Sequence, residues 1–573
     1  MTNQIEAILF DMGGTLRGSD KKDEASKLEI VRKIIELLDA DASPEEFTEL
    51  LTERTKAYRR WAKETLVDVP ELELWTKWML PDWPAEQIRG LAMQLNDLWR
   101  SATGDRIVFP ETKEIVLELF RRGYRLGLVS NTVSSVETPR LLESLEITGC
   151  FETVVLSCVV GMRKPDPAIL LEAARRMEID PGKCVYIGNL LHRDVLPSRE
   201  AGFAKVIILR DPENFTAHQA KYPELIADAY VDNLSELLDI FPNQRNDMTL
   251  PPAIAASLST MWAKKNFPKL SDFFDGARRL GFSRIELNHQ IDSAMLAGID
   301  LNRYQFSSVH EPCPSDTSTD ELKKRDWLIS SPDEDNRKRG VDSIKRSIDL
   351  AHQLRASVIV VHCGMVSSDL STEKELRKLF DSGKTETDKY REHKENLIEQ
   401  RAGLIGPCYE SVRKSLQELL DYAALFRIRL GLENRYHYFD IPNPDEMGDL
   451  LALAGPDQLG FIYDVGHAQA LDRLGFYPYE EWLQRYASRI IEVHLHDVVG
   501  VVDHHAPGLG EVDFDMVASY LPEDAIRTFE LQATNSPEQV KAGLKYLVER
   551  GCVKPITINY KIAKGNPKTG ARA

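Results

Sequence analysis

Short apolar runs separated by charged, helix-patterned stretches recur along the chain. IEAILFD at 5–11 is a continuous apolar run broken by GG, the pattern of a buried strand entering a loop. Residues 20–105 carry helical periodicity with no clear strand, and five of the eight tryptophans fall there (Trp61, Trp75, Trp78, Trp83 and Trp99). Strand and helix then alternate, with strands at RLGLVSN (125–131), TVVLS (153–157), CVYIGN (184–189) and KVIIL (205–209). Repeated β–α units predict an α/β domain, a parallel sheet covered by helices on both faces. The helical block reads as a cap inserted over the active edge of that sheet. The first domain is thus 1–242, with its core at 1–16 and 106–242 and its cap at about 17–105.

PNQRNDMTLPP is polar and proline-bearing, and marks a linker at 243–252. Beyond it, strand-like runs recur near 254–258, 284–288, 305–310, 357–362, 428–433, 460–464, 490–496 and 527–531. Eight such runs with helical material between them predict a (β/α)8 barrel over 253–561. That length is generous for a barrel of typically ~250 residues, so insertions are expected. The best candidate is 366–407, charged and helix-prone, directly after the fourth strand. On that face it would be a lid or a substrate-facing excursion. IAKGNPKTGARA at 562–573 has the composition of a flexible tail.

At 573 residues the chain exceeds one hydrophobic core, and 43% hydrophobic with 28% charged residues is ordinary for a soluble globular protein. It has no apolar run of about 18 residues that would span a membrane, and no basic region precedes the first apolar stretch, so no secretory signal is expected. Seven cysteines (150, 158, 184, 313, 363, 408 and 552) form no CxxC pair and read as reduced thiols of a cytoplasmic protein. A net charge of −18 disfavours a nucleic-acid partner. A small metabolite fits better, with a homodimer as an option; the resemblances given below imply a phosphorylated or sugar-like substrate.

The chemistry concentrates at strand ends. Eleven of the thirteen histidines lie after residue 288. SSVH ends at His310, SVIVVH at His362, LGLEN at Glu433, LGFIYDVGH at Asp464 and His467, IIEVHLHD at His494, and RTFE at Glu530. Strand ends of this kind share one rim of a barrel, where (β/α)8 enzymes keep their active sites. Imidazoles with carboxylates suit Zn²⁺, Mn²⁺, Co²⁺ or Fe²⁺ better than Ca²⁺. Asp503 and His505 follow in VDHHAPGLGEVDF, as ligands or as residues capping the PGLG turn. His437, His496 and His504 read as solvent-facing or as groups behind the ligands, and Asp497 as a carboxylate that orients an imidazole.

The first half carries Asp11 in DMGGTL, Ser130 and Asn131 in LVSN, Lys164 in RKPDP and Asp194 in YIGNLLHRD. These ordered motifs resemble the haloacid dehalogenase (HAD) superfamily with a helical cap. The resemblance implies a Rossmann-like sheet with Asp11 as nucleophile and Ser130 holding phosphoryl oxygens. It also implies that Lys164 offsets the charge, Asp11 and Asp194 hold Mg²⁺, and Asn131 contacts substrate. Two positions depart from the pattern. Gly13 stands where that family has its general acid, and Asn189 where it has another acid. Loss of a general acid costs roughly 10²–10⁴ in rate.

The second half, about 253–560, resembles the xylose isomerase-like TIM-barrel superfamily, which includes sugar and sugar-phosphate isomerases and epimerases and also endonuclease IV. In the first branch, Glu433, Asp464, His494 and Glu530 would hold one Mn²⁺-type ion. The two glutamates would serve as the acid/base pair, and His467 and Arg435 would position substrate. In the second branch, His310, His362, Glu433, Asp464, His467, His494, Asp503, His505 and Glu530 would hold three Zn²⁺. The favoured reading is a metal-dependent isomerase or epimerase, with one to three Mn²⁺, Zn²⁺ or Co²⁺ ions, fused to a Mg²⁺-dependent HAD phosphatase-like domain. The alternatives are a trinuclear zinc phosphoesterase, and a HAD domain that only scaffolds the barrel.

Overall fold

A computed structural model describes residues 5–20, 22–212, 214–244 and 254–555. Residues 245–252 of the expected linker and the tail at 562–573 lie outside them. The chain forms two compact units.

The first contains a six-stranded parallel sheet in the order Phe151–Leu156, Arg125–Ser130, Ala7–Phe10, Cys184–Gly188, Lys205–Leu209, Ala229–Val231. The first strand in sequence lies inside the sheet, with the chain winding away from it on both sides. Ligands of open α/β sheets bind at the carboxyl ends of strands beside such a reversal. Register pairs Phe10 with Leu128 and Ile187, so Asp11, Ser130 and Asn189 emerge at one edge.

Two short strands frame the cap. Arg17–Asp20 pairs antiparallel with Asp105–Val108, and the chain enters and leaves the cap through this stalk. The longest cap helix, Pro44–Thr65, starts on a capping box of Ser43 and Glu46 with proline in its first turn. The five cap tryptophans pack in one apolar cluster with Phe47, Leu51 and Leu95, which makes them packing residues of the helices.

The second unit contains a closed barrel of eight parallel strands: Ile254–Ser259, Phe282–Leu287, Phe306–His310, Val358–Val361, Arg429–Glu433, Leu459–Asp464, Ile490–His494 and Ile526–Phe529. These are the eight runs read from the sequence. Gly431 and Gly460 are required by close approach: a Cβ on either would lie 2.4 Å from Ile462 or Ile491 respectively. After the seventh strand, Asp497–Val499 and Val502–His505 form an antiparallel hairpin.

The insertion folds as the helix Ser371–Asp381 and the first half of the long helix Asp388–Ala424. Leu376, Tyr390 and Leu397 pack with Tyr438, Phe439, Leu471, Leu474 and Val501, which follow the fifth, sixth and seventh strands. Glu373 pins this cover, accepting from Tyr438 N at 3.0 Å and Arg377 Nε at 2.9 Å and meeting His437 Nδ1 at 2.8 Å. The insertion is therefore docked on the segments that follow the fifth, sixth and seventh strands. All seven cysteines are buried, and none forms a disulfide. No helix among the described residues is long and apolar enough to cross a membrane.

Candidate functional site

In the sheet unit, the fully buried Lys164 ammonium ties three groups together. It donates to Asp11 Oδ1 at 2.7 Å, Asp194 Oδ1 at 2.8 Å and the Tyr186 hydroxyl at 2.6 Å. Asp194 Oδ2 accepts the backbone N–H of Asn189 at 3.0 Å and of Leu190 at 2.8 Å. The carboxylate lies so close over the strand end that a Cβ on Gly188 would sit 2.4 Å from it. Asn131 differs from its expected role. Its amide donates to Lys164 O at 2.8 Å and accepts from Lys164 N at 2.9 Å, so both ends hold the lysine's loop rather than face a substrate. Ser130 is buried at the end of its strand.

Burial pushes the Asp11 carboxyl above its ordinary value, opposed by Lys164 and reinforced by repulsion from Asp194. Burial acts on Asp194 too, but Lys164, Arg193 and the backbone donors hold it below. Two buried oxygens here, Asp11 Oδ2 and Asn189 Oδ1, have no hydrogen-bond partner. Oxygen donors of this kind fit a hard cation such as Mg²⁺.

The cap and the core each contribute an acid that sequence reasoning missed. Asp68 accepts from Ser157 Oγ at 2.6 Å, Arg163 Nη1 at 2.9 Å and Tyr58 OH at 2.9 Å. Glu137 meets Arg17 at 3.0 Å, Arg106 at 2.8 Å and also Arg100, joining core, stalk and cap. The available signal for Asp68 was an acid set among apolar residues in LVDVPELELW.

At the barrel rim, potential ligand atoms gather in overlapping groups. One is His310, His362 and Glu433: His362 Nε2 lies 3.1 Å from both His310 Nε2 and Glu433 Oε2. A second is Glu433, Asp464, His494 and Glu530, all buried, with His494 Nδ1 2.8 Å from Glu433 Oε1, 3.0 Å from Glu530 Oε2 and 3.5 Å from Asp464 Oδ2. A third is His467, Asp503 and His504, with His467 Nε2 3.6 Å and His504 Nδ1 2.8 Å from Asp503 oxygens. Despite these distances, Glu433 Oε1 and both His494 ring nitrogens lack an aligned hydrogen bond. Buried polar atoms that converge without bonding one another fit a shared transition-metal ion.

Local structure sets this geometry. Asp464 ends its strand and caps the helix Val465–Arg473, accepting from His467 N at 2.7 Å, which brings the carboxylate and imidazole of YDVGH together. Asn434 exchanges two 2.8 Å bonds with the Asp464 backbone, joining the fifth and sixth strands at their ends. Gly466 has no side chain because His496 packs there: a Cβ would lie 2.2 Å from the ring. Arg435 forms an ion pair with Glu433 and, with Glu311, His362, Asp440 and Trp327, lines a cavity beside the cluster.

Three expectations are corrected. His504, not His505, joins the ligand groups; among the described residues His505 belongs to none. His504 adopts a left-handed backbone (φ 60°), which sets which of the two adjacent histidines faces the cluster. His496 also belongs inside, with Nε2 3.0 Å from both Asp464 oxygens and its ring stacked on His504 at 4.3 Å. Asp497 orients no imidazole. Its carboxylate accepts the N–H groups of Val498, Gly508 and Val512 at 2.8–3.0 Å, and so holds the PGLG loop.

The cluster's charges are strongly coupled. Burial opposes ionisation of Glu433 and Glu530, but Arg435, His362, His494 and His467 hold Glu433, and His494, His504 and His310 hold Glu530, well below the usual carboxylate range. Burial and Arg435 push His362 well down, and burial lowers His467 too, favouring the neutral imidazole that binds metals.

Residues 5–202 match the family model for haloacid dehalogenase-like hydrolases, and 275–550 that for the xylose isomerase-like TIM barrel. Glyceraldehyde 3-phosphate phosphatase of Methanopyrus kandleri is 27% identical over 237 residues, 41% of this chain and 97% of that protein. Phosphoglycolate phosphatase of Shigella boydii is 27% identical over 246 residues, covering 41% and 92%. A solved D-tagatose 3-epimerase-like protein, 21% identical, aligns over 52% of this chain and 97% of its own with a TM-score of 0.37. The chain thus joins a haloacid dehalogenase-like hydrolase domain to a xylose isomerase-like TIM barrel.

Proposed function

We propose that the barrel is a metal-dependent isomerase or epimerase of a small sugar or sugar phosphate, and that the HAD-like domain is a phosphomonoesterase. The observation that carries the barrel reading is His494 Nδ1 set among Glu433, Glu530 and Asp464 with no aligned hydrogen bond. Those four residues would hold one Mn²⁺, Zn²⁺ or Co²⁺ ion. A bound ion would polarise the substrate's carbonyl and hydroxyl oxygens. Glu433 and Glu530 are buried, and their neighbours favour the ionised form, the state a base needs to take a proton from the adjoining carbon. Arg435 restrains Glu433 and borders the cavity where substrate would lie. Incubation with ketoses and ketose phosphates in D₂O tests this: wild type should incorporate deuterium and Glu433→Gln should not. Incorporation by neither rejects the reading.

A second reading, a three-zinc phosphoesterase, is favoured by the two outer groups, His310–His362–Glu433 and His467–Asp503–His504, which a one-ion site leaves unused. Three ions per chain together with phosphodiester cleavage would select it.

For the HAD-like domain, Asp11 would attack phosphorus, with Lys164 offsetting charge and Asp11 and Asp194 holding Mg²⁺. The phosphatase relatives support this reading. Beryllofluoride with Mg²⁺ should bind wild type and not Asp11→Ala. No binding to either leaves the domain as a scaffold.

A further inference from the structure

Beneath the rim, the barrel holds two carboxylates that neither reading uses. Glu286 is on the second strand and Glu492 on the seventh, and both are 0% exposed. Ser308 Oγ lies 3.2 Å from Glu286 Oε2 and 2.8 Å from Glu492 Oε1, and Thr528 Oγ1 donates to Glu492 Oε1 at 2.5 Å. His494 joins this layer to the rim. Its Nδ1 faces Glu433 and Glu530, while its Nε2 lies 3.3 Å from Glu286 Oε2.

Desolvating a carboxylate costs several kcal/mol, so packing alone does not account for this pair. Nearby, Val358, Val360, Ile462, Ile491 and Ile526 fill buried barrel positions without such a cost. The pair also leaves two oxygens, Glu286 Oε1 and Glu492 Oε2, buried and unpartnered. What the arrangement supplies is a carboxyl group on the far side of His494, with Glu286 Oε2 3.3 Å from Nε2. A carboxyl oxygen close behind Nε2 favours the tautomer with its proton on that side, which presents Nδ1 as a lone pair in a fixed direction.

We propose that Glu286 is a positioning residue for His494, turning Nδ1 toward the ion held with Glu433, Asp464 and Glu530, and that Glu492 keeps Glu286 in place through Ser308. This rests on the metal reading of those four residues.

The test uses the full chain, stripped with chelator and titrated with Co²⁺, reading affinity by chelator competition and geometry by the visible absorption band. Glu286→Gln keeps an acceptor oxygen but removes the charge, and should weaken Co²⁺ binding roughly 10- to 100-fold. Glu286→Leu should weaken it further and shift the band. Unchanged affinity and spectrum in both variants, with a wild-type circular dichroism spectrum, overturn the proposal. A lowered melting temperature of the metal-free protein with an unaltered Co²⁺ spectrum also overturns it, marking Glu286 as structural only. If the Glu286 variants do not fold, Ser308→Ala decides, since it leaves both carboxylates in place: weaker Co²⁺ binding supports the proposal and unchanged binding rejects it. Wild type that binds no Co²⁺ rejects the metal reading itself, a different result from wild type that binds alongside indifferent variants.

Discussion

His310 and His362 turn their Nε2 atoms toward each other across 3.1 Å, from the ends of adjacent barrel strands. Either one nitrogen donates to the other, or both lone pairs face a common cation with Glu433. The second arrangement predicts that His362→Ala loses metal, measured by mass spectrometry of protein purified without chelator, while the His494 group stays loaded. Equal metal content in variant and wild type would identify the pair as an ordinary hydrogen bond.

Gly13 offers a gain-of-function test. A Cβ there meets nothing within 4 Å, so an aspartate can enter beside the nucleophile loop. Gly13→Asp should raise turnover of an alkyl phosphate, whose leaving group needs a proton, by about 10²-fold. Gly14→Ala should do the opposite, because Gly14 has φ +82° and its Cβ would lie 2.0 Å from Asn189 Nδ2. Steady-state rates on glycerol phosphate check both, and a Gly13→Asp variant no faster than wild type would show that the missing acid does not limit turnover.

Acid should loosen the cap through Glu137. Burial raises its carboxyl pKa, but Arg100, Arg17 and Arg106 more than offset this and hold it below the ordinary value. A depressed folded pKa means that the stabilisation is complete above the unfolded value of about 4.3 and is lost as pH falls through the lower folded value. Glu137→Gln should therefore melt lower than wild type at pH 7, and the gap should close at lower pH. A gap that stays constant across the titration would count against this account.

The docked insertion should come away locally. Leu376 is 0% exposed in the cluster beneath the cover, and Leu376→Ala should cost about 2–5 kcal/mol there. Limited proteolysis should then cut within 371–424 before the barrel strands. Cleavage spread evenly over the barrel would mean that the insertion belongs to the barrel's own folding unit.

Much of this was legible in the sequence because strand ends are punctuated. Each barrel run closes on a change from apolar to polar residues, and the ligand-type residues sit at that change. Three things were not legible. The short strands 17–20, 105–108 and 229–231 are too brief to show a period. The choice between His504 and His505 depends on one backbone torsion, which residue types do not encode. The pairing of Glu286 with Glu492 joins the second and seventh strands, a relation that only barrel closure creates.

Asp464 serves the helix as well as the cluster, since it caps Val465–Arg473 while its oxygens meet His496. If the rim binds a metal, a descendant that lost that ion would still be under pressure to keep this aspartate, because the helix would fray without it. Its presence in a related chain is therefore a poor sign of surviving chemistry. Among the described residues the His362 side chain caps no helix, so it is the more faithful marker of a metal-binding rim.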